Sequence, residues 1–172
     1  MSLAALVRWL NELPVSVALR ESELAFPLTE AIHLLGLAIS VGTIMFVDLR
    51  LLGLIMRKER VRDLISRLEP WAIFGFVIMF VTGGLLFLGK PENYYPTSPF
   101  RIKMLLLPLA GLNVLFFHKK VYPNVAQWDD AETPPGAARL VGAVSAVLWI
   151  VIIVLGRWTA YYSDELFSRG AQ

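Results

Sequence analysis

The sequence predicts an all-α protein: a transmembrane antiparallel four-helix bundle, preceded by a short N-terminal interfacial helix and followed by a short C-terminal tail helix. Three observations predict it. Hydrophobic residues make up 56% of the 172 residues and charged residues only 17%, where soluble domains carry about a quarter charged residues. The mean hydropathy is +0.61. Four apolar stretches, at 28–53, 70–89, 100–118 and 139–161, approach or exceed the ~20 residues that cross ~30 Å of hydrocarbon. Four spans leave no room for a second domain, so residues 1–172 are expected to form one membrane domain.

Residues 2–13, SLAALVRWLNEL, place Leu3, Leu6, Val7 and Leu10 on one helical stripe. Ser2 caps the start and Pro14 ends it. This segment is expected to lie on the membrane surface, with a further short piece over Ser16–Ser22. Pro27 opens span 1, which ends at Arg50 before the charged stretch RKERVRDLISRLE. Pro70 is expected to start span 2. The connection KPENYYPTSP carries two tyrosines suited to a membrane–water interface. Span 3 contains Pro108, which bends a helix by freeing a carbonyl; neighbouring helices make such a break tolerable in a membrane. Residues 119–138 read as a polar loop, span 4 follows, and the tail SDELFSRGAQ reads as a short surface helix.

Composition also excludes chemistry. The chain has no cysteine, hence no disulfide, thiolate metal site, iron–sulfur cluster or cysteine nucleophile. Its formal charge of +2 comes without a basic run interleaved with aromatics, so no nucleic acid partner is expected. Residues 1–10 lack the long apolar core and small-residue cleavage site of a signal peptide. No catalytic triad, HExxH, phosphate loop or paired-histidine motif is present.

Orientation follows from the Lys/Arg balance of the short loops. One face holds Arg57, Lys58, Arg60, Arg62, Arg67, Lys119, Lys120 and Arg139; the face with both termini holds Arg8, Arg20, Lys90, Arg101 and Arg169. The first, the loop face, is therefore expected in the cytoplasm. The second, the terminal face, is expected in the periplasm, with the chain multi-pass in a bacterial inner membrane.

Polar groups inside a membrane are costly and mark functional sites. At ~1.5 Å per residue, His33 lies about five residues, or ~8 Å, in from the terminal face. Glu30, Gly83-Gly84, Lys103 and Gly156-Arg157 fall at the same level, so every span contributes to one layer. His118 lies at the opposite end of span 3, about 15–20 Å away in depth. The two histidines therefore cannot clamp one metal or haem. In the layer, His33 is the candidate haem or metal ligand. Gly36, Gly83 and Gly84 would leave a flat space for a macrocycle. Lys103 would be a second ligand or, with Arg157, a partner for propionates. Glu30 would pair with Lys103 or Arg157. The same residues also have plain packing readings: small residues for close helix contact, and Arg157-Trp158 with Tyr161-Tyr162 as a snorkelling cation and aromatic belt. Asp48 and Arg50 are expected at the loop-face end of span 1 beside loop charges. His118-Lys119-Lys120 reads as a cationic helix end. Asn113 needs a bundle partner, with Ser40, Ser145 and Trp149 in reach.

The succession PLTEAIHLLGLAISVG…DLRLLG, LEPWAIFGF…TGGLLF, PFRIKM…AGLN and SAVLWIVIIVLGRWTAY resembles a family of uncharacterised bacterial four-span integral membrane proteins, over about residues 20–162. That family carries an architecture and no assigned activity. More distantly, the pattern is similar to the CopD domain of copper resistance and to the HemJ-type protoporphyrinogen oxidases. The shared features are a histidine in the first core helix, matching His33, and a lysine near the start of a later one, matching Lys103. The HemJ resemblance implies haem b. That type has a further histidine after its lysine, where this chain has Asn113.

The functional expectation is an intramembrane site at the terminal face that binds haem b for electron transfer or redox chemistry, with a periplasmic or membrane redox partner. Copper-resistance-like transport of a metal or small molecule is the alternative, and a non-catalytic anchor subunit for a periplasmic partner the third. Whether the protein is an enzyme is left open by the sequence, and an oligomer is compatible with it.

Overall fold

The computed structural model describes residues 3–170, with side chains over 5–162. Among the described residues the chain is helical, with no strand. Two short helices come first, α1 (Leu3–Asn11) and α2 (Pro14–Glu21). Four long ones carry the fold: α3 (Ala25–Leu51), α4 (Val61–Gly89), α6 (Ser98–Phe116) and α7 (Gly136–Gly170), with a single turn, α5 (Pro91–Tyr94), between α4 and α6. Each long helix is apolar and long enough to cross a membrane.

The helices α3 and α6 have almost no amphipathic bias. A helix apolar on every side is made for a surrounding without water. Accordingly, large apolar side chains such as Phe80, Leu105, Leu34 and Val154 cover the exterior of the bundle. In water such a surface would be a severe aggregation liability. In lipid it costs nothing, and the helices satisfy their own backbone polar groups. The protein is a multi-pass membrane protein.

Pro14 ends α1 and occupies the first turn of α2, where its missing N–H is no loss. The interfacial segment is thus a helix pair. Ser16 is fully buried and donates to the Leu10 carbonyl at 2.7 Å, while Arg20 reaches both the Asn11 side chain and its carbonyl. Asn11 in turn donates to Glu92 of α5 at 3.3 Å. The pair packs on α4 and α5, covering the terminal-face end of the bundle. The Ser2 cap lies outside the described residues.

Three expected boundaries change. First, α4 starts at Val61, and Pro70 lies inside it. The charged stretch hides a helical stripe, Val61, Leu64 and Ile65, that is buried. The Asp129 carboxylate accepts the Arg62 N–H at 2.9 Å, capping the new N-terminus from another loop. Second, the loop expected at 119–138 begins as structure: α6 relaxes into a π-helical turn (Phe117–Val121) and a 3₁₀ turn (Tyr122–Gln127). Phe117, Val121 and Val125 close a loop-face core with Leu51, Val61, Ile65, Ala138 and Val141. Third, the tail is helical, but as a direct continuation of α7.

Packing is uneven around the bundle. Helix α4 lies on α3, α6 lies on α7, and the two pairs meet chiefly through α3 and α7. Contact between α3 and α4 is close enough to require glycine. A Cβ on Gly75 would stand 2.6 Å from the Ser40 nitrogen and 2.7 Å from the Gly36 oxygen; one on Gly36 would stand 2.7 Å from Ile78 Cγ2. Small residues spaced four apart are the usual device for such backbone approach in membranes. By contrast, α4 and α6 hardly touch along their length. They meet at the two ends: Phe87 stacks on Phe100 at 5.2 Å near the terminal face, and His118 approaches Glu69 at 3.7 Å near the loop face. Between these ends the bundle is open sideways.

Candidate functional site

Of the layer expected near the terminal face, the structure brings His33 and Lys103 together. His33 is half-buried on α3, facing α4. Its Nδ1 lies 2.9 Å from Thr82 Oγ1, with the Met79 carbonyl as a second neighbour of the ring. The Thr82 hydroxyl donates its own proton to the Ile78 carbonyl at 2.6 Å. With its own proton on Ile78, the Thr82 hydroxyl faces Nδ1 as an acceptor, and a neutral His33 so arranged carries its proton on Nδ1. Its Nε2 keeps a lone pair. Metal-ligating histidines are oriented in this way, one ring nitrogen held by a donated hydrogen bond and the other free to coordinate. Lys103, from α6, sits within electrostatic reach of the ring. Its amine packs against α7, where a Cβ on Gly156 would come within 3.3 Å of Nζ.

The glycines divide. Gly83 is at the site: a Cβ there would be 3.2 Å from His33 Cε1. Gly36 is consumed by the α3–α4 contact. Gly84 is exposed on the outer surface of α4 with nothing within 4 Å. The flat slot expected from the three together is not formed. Arg157 is exposed at the terminal end of α7. Glu30 is half-buried one helical turn before His33. Among the described residues neither expected ion pair, Glu30 with Lys103 or with Arg157, is formed, because Lys103 turns toward Gly156 and Arg157 points outward. No three His, Asp or Glu side chains among the described residues are grouped to hold a bare metal ion.

Below this layer the mid-bundle is apolar, built on Val41, Ala110, Trp149 and Ile152. Trp149 packs on Phe76 at 5.3 Å between centroids, and its indole N–H is buried without a partner.

The loop-face end holds a second polar group that sequence reasoning placed wrongly. Asp48 is buried at 4% exposure, away from loop charges. Ser145 of α7 hydrogen-bonds its carboxylate, and Oδ2 has no partner. Arg50, two residues on, projects from another side of α3 and is fully buried. Its Nε donates to the Glu59 carbonyl at 2.9 Å and an Nη to the Ala131 carbonyl at 3.1 Å, so it ties two loops together. Asn113 donates to the Val141 carbonyl at 3.1 Å, and none of the three expected side chains is its partner. His118, in the π-helical turn that follows α6, faces Glu69 of α4 across the gap at 3.7 Å. The available signal for Asp48 was its spacing: Ser40, Gly36 and His33 precede it at helical intervals on the bundle-facing side.

Fold and site together define a four-span integral membrane protein with polar groups buried at both ends of an apolar bundle. The comparisons place the chain in a family and add no chemistry. Residues 23–162 match Family of unknown function (DUF6644), and the chain belongs to that family. No curated protein and no solved structure matches it.

Proposed function

We propose that the protein binds a b-type haem in the bacterial inner membrane, which His33 Nε2 would ligate and which would supply electron transfer near the terminal face. One observation carries the reading: the hydrogen bond from His33 Nδ1 to Thr82, which leaves Nε2 as an oriented lone pair. The donor set favours haem over a bare metal ion. A zinc or copper ion draws its first shell from several protein side chains, and only one imidazole is present here with no cluster around it. Haem brings its equatorial nitrogens with it and needs one or two protein ligands. Lys103 is the second donor at the same level, and Arg157, exposed on α7 beside Gly156, is a cation that would pair with a propionate. When bound, haem would supply one-electron chemistry. The chain's own contribution is to hold the imidazole in one tautomer through Thr82, keep the Lys103 amine against Gly156, and keep water from the site with the apolar mid-bundle. The resemblance to HemJ-type proteins supports this reading at His33 and Lys103. The Lys/Arg balance supports a periplasmic terminal face, where a redox partner would dock.

The test is spectroscopic. Protein made with haem supplementation and purified in detergent should show a Soret band. His33→Ala should abolish it, and Lys103→Ala should alter the ligand-field bands while leaving binding intact. A colourless folded protein, or an unchanged spectrum in His33→Ala, refutes the proposal.

A further inference from the structure

A cavity of about 200 Å³ opens in the loop-face half of the bundle, distinct from the His33 layer. All four spans line it. Its walls are apolar, with Phe76 and Ile44 toward mid-membrane. Thr43, toward mid-membrane, spends its hydroxyl proton on backbone carbonyls of its own helix; the other polar members lie on the loop-face side, Asp48, Ser145 and Asn113 within, Glu69 and His118 at the rim. Ile73 of α4 and Val114 of α6 line the cavity and also lie on the exposed apolar exterior. The mouth therefore faces lipid, through the gap where α4 and α6 do not pack.

The chemistry of the lining is one-sided. Two carboxylates, Asp48 and Glu69, are present, no lysine or arginine lines the space, and the one imidazole, His118, faces Glu69 at the rim, 3.7 Å away. Asp48 Oδ2 is buried and lacks a donor, although an unmet buried acceptor is costly. The missing partner is thus a hydrogen-bond donor, and positive charge suits it best. Depth fits an amphiphile: Asp48 lies three residues, or ~4.5 Å, before the loop-face end of α3. A polar head would sit there while its chain points toward Phe76 in the hydrocarbon. Volume limits the guest, since pockets for drug-sized ligands run to about 300–1,000 Å³. One alkyl chain fits, and a macrocycle does not.

We propose that this cavity is a lateral-entry binding site for a single-chain lipophilic primary amine, whose ammonium donates to Asp48 and whose alkyl chain lies between α4 and α6. An ammonium on a phospholipid shares the chemistry but brings a phosphate, which two carboxylates with no lysine or arginine beside them disfavour. The free amine is therefore the ligand.

The experiment uses the full chain in phosphatidylcholine nanodiscs and a dodecylamine analogue carrying a diazirine in its chain. Labelling should saturate, map by mass spectrometry to α4 and α6 around Ile73 and Val114, and be competed by dodecylamine. Dodecanol and phosphatidylethanolamine should compete at least tenfold more weakly. Asp48→Asn, which keeps the shape, should weaken labelling at least tenfold. Ala72→Phe, which fills the cavity and leaves Asp48 in place, should abolish it. Circular dichroism on each variant establishes folding. Should Asp48→Asn fail to fold, Ala72→Phe and the dodecanol arm carry the decision. Non-saturating labelling spread over the lipid-facing surface overturns the proposal, as does equal competition by dodecanol. Stronger competition by phosphatidylethanolamine than by dodecylamine also overturns it, in favour of a phospholipid site.

Discussion

Replacing Gly75 by alanine adds one methyl at the tightest point of the molecule. That Cβ would lie 2.6 Å from the Ser40 nitrogen, 2.7 Å from the Gly36 oxygen and 2.9 Å from Ser40 Cβ. Ordinary contact begins at about 3.5 Å. Helices α3 and α4 must therefore separate by nearly 1 Å at this level, and two of the three blocking atoms are backbone, which no rotamer change can move aside. Overpacking a tight core costs about 1–3 kcal/mol and occasionally more. This interface is the most extensive in the bundle, so the upper end of that range is expected. Gly84, nine residues along the same helix, supplies the control. A Cβ there meets nothing within 4 Å, and Gly→Ala in a helix interior gains up to about 1 kcal/mol from propensity. At roughly 2–4 °C per kcal/mol for a chain of this size, Gly75→Ala should lower the detergent-phase Tm by about 5–10 °C. Gly84→Ala should leave it unchanged or raise it by a few degrees. Circular dichroism melts in dodecyl maltoside read both. Equal Tm values for the two variants, or a larger loss at Gly84, would refute the packing argument.

Four further outcomes follow. Arg50→Ala removes the donors to the Glu59 and Ala131 carbonyls; it should cost about 3 kcal/mol, since hydrogen bonds to a charged group contribute about 1.5–3 each, and should speed proteolysis in the loops around 52–60 and 128–135. Gly53 has φ +73°, a region alanine enters at about 1–2 kcal/mol, so Gly53→Ala should destabilise by that amount in the same melt. Thr82→Val removes the hydroxyl partner of His33 Nδ1; the haem-loaded protein should keep its Soret band but show a shifted midpoint potential in a spectroelectrochemical titration. Arg60 and Asp130 form an ion pair at 2.8 Å on the open surface, where such pairs contribute little, and Asp130→Asn should produce no measurable change in Tm.

Element existence was readable because membrane spans announce themselves by length and apolarity. Their inner boundaries were harder. Residues 61–69 look like a charged loop when charges are counted, and like a helix only when Val61, Leu64 and Ile65 are seen to share a side. The His33–Lys103 meeting was legible through depth counting, since antiparallel spans fix height well. What depth counting cannot supply is azimuth. In helices apolar all round, nothing in the pattern says which side faces a neighbour. Height alone therefore groups Gly84 with Gly83 although Gly84 is exposed, and offers Gly36 to a macrocycle although Ile78 and Gly75 fill the space beside it. The same holds for Asp48. Its height near a helix end suggested loop charges, but its azimuth puts it against Ser145. The gap between α4 and α6 is a property of how two helix pairs dock, and no local sequence signal reports it.

The length of α7 has a mechanical consequence. Its 35 residues at ~1.5 Å each span about 52 Å, more than the ~40–45 Å of a whole bilayer with its headgroups. Standing upright, the helix would project beyond the headgroups as an unbroken rod at the terminal face. An unbroken rod transmits tilt and rotation without loss at a joint. Whatever grips its projecting end also holds a handle on Gly156 and Ser145 far below, and a small swing of that end would move the Lys103 seat and the Asp48 partner together.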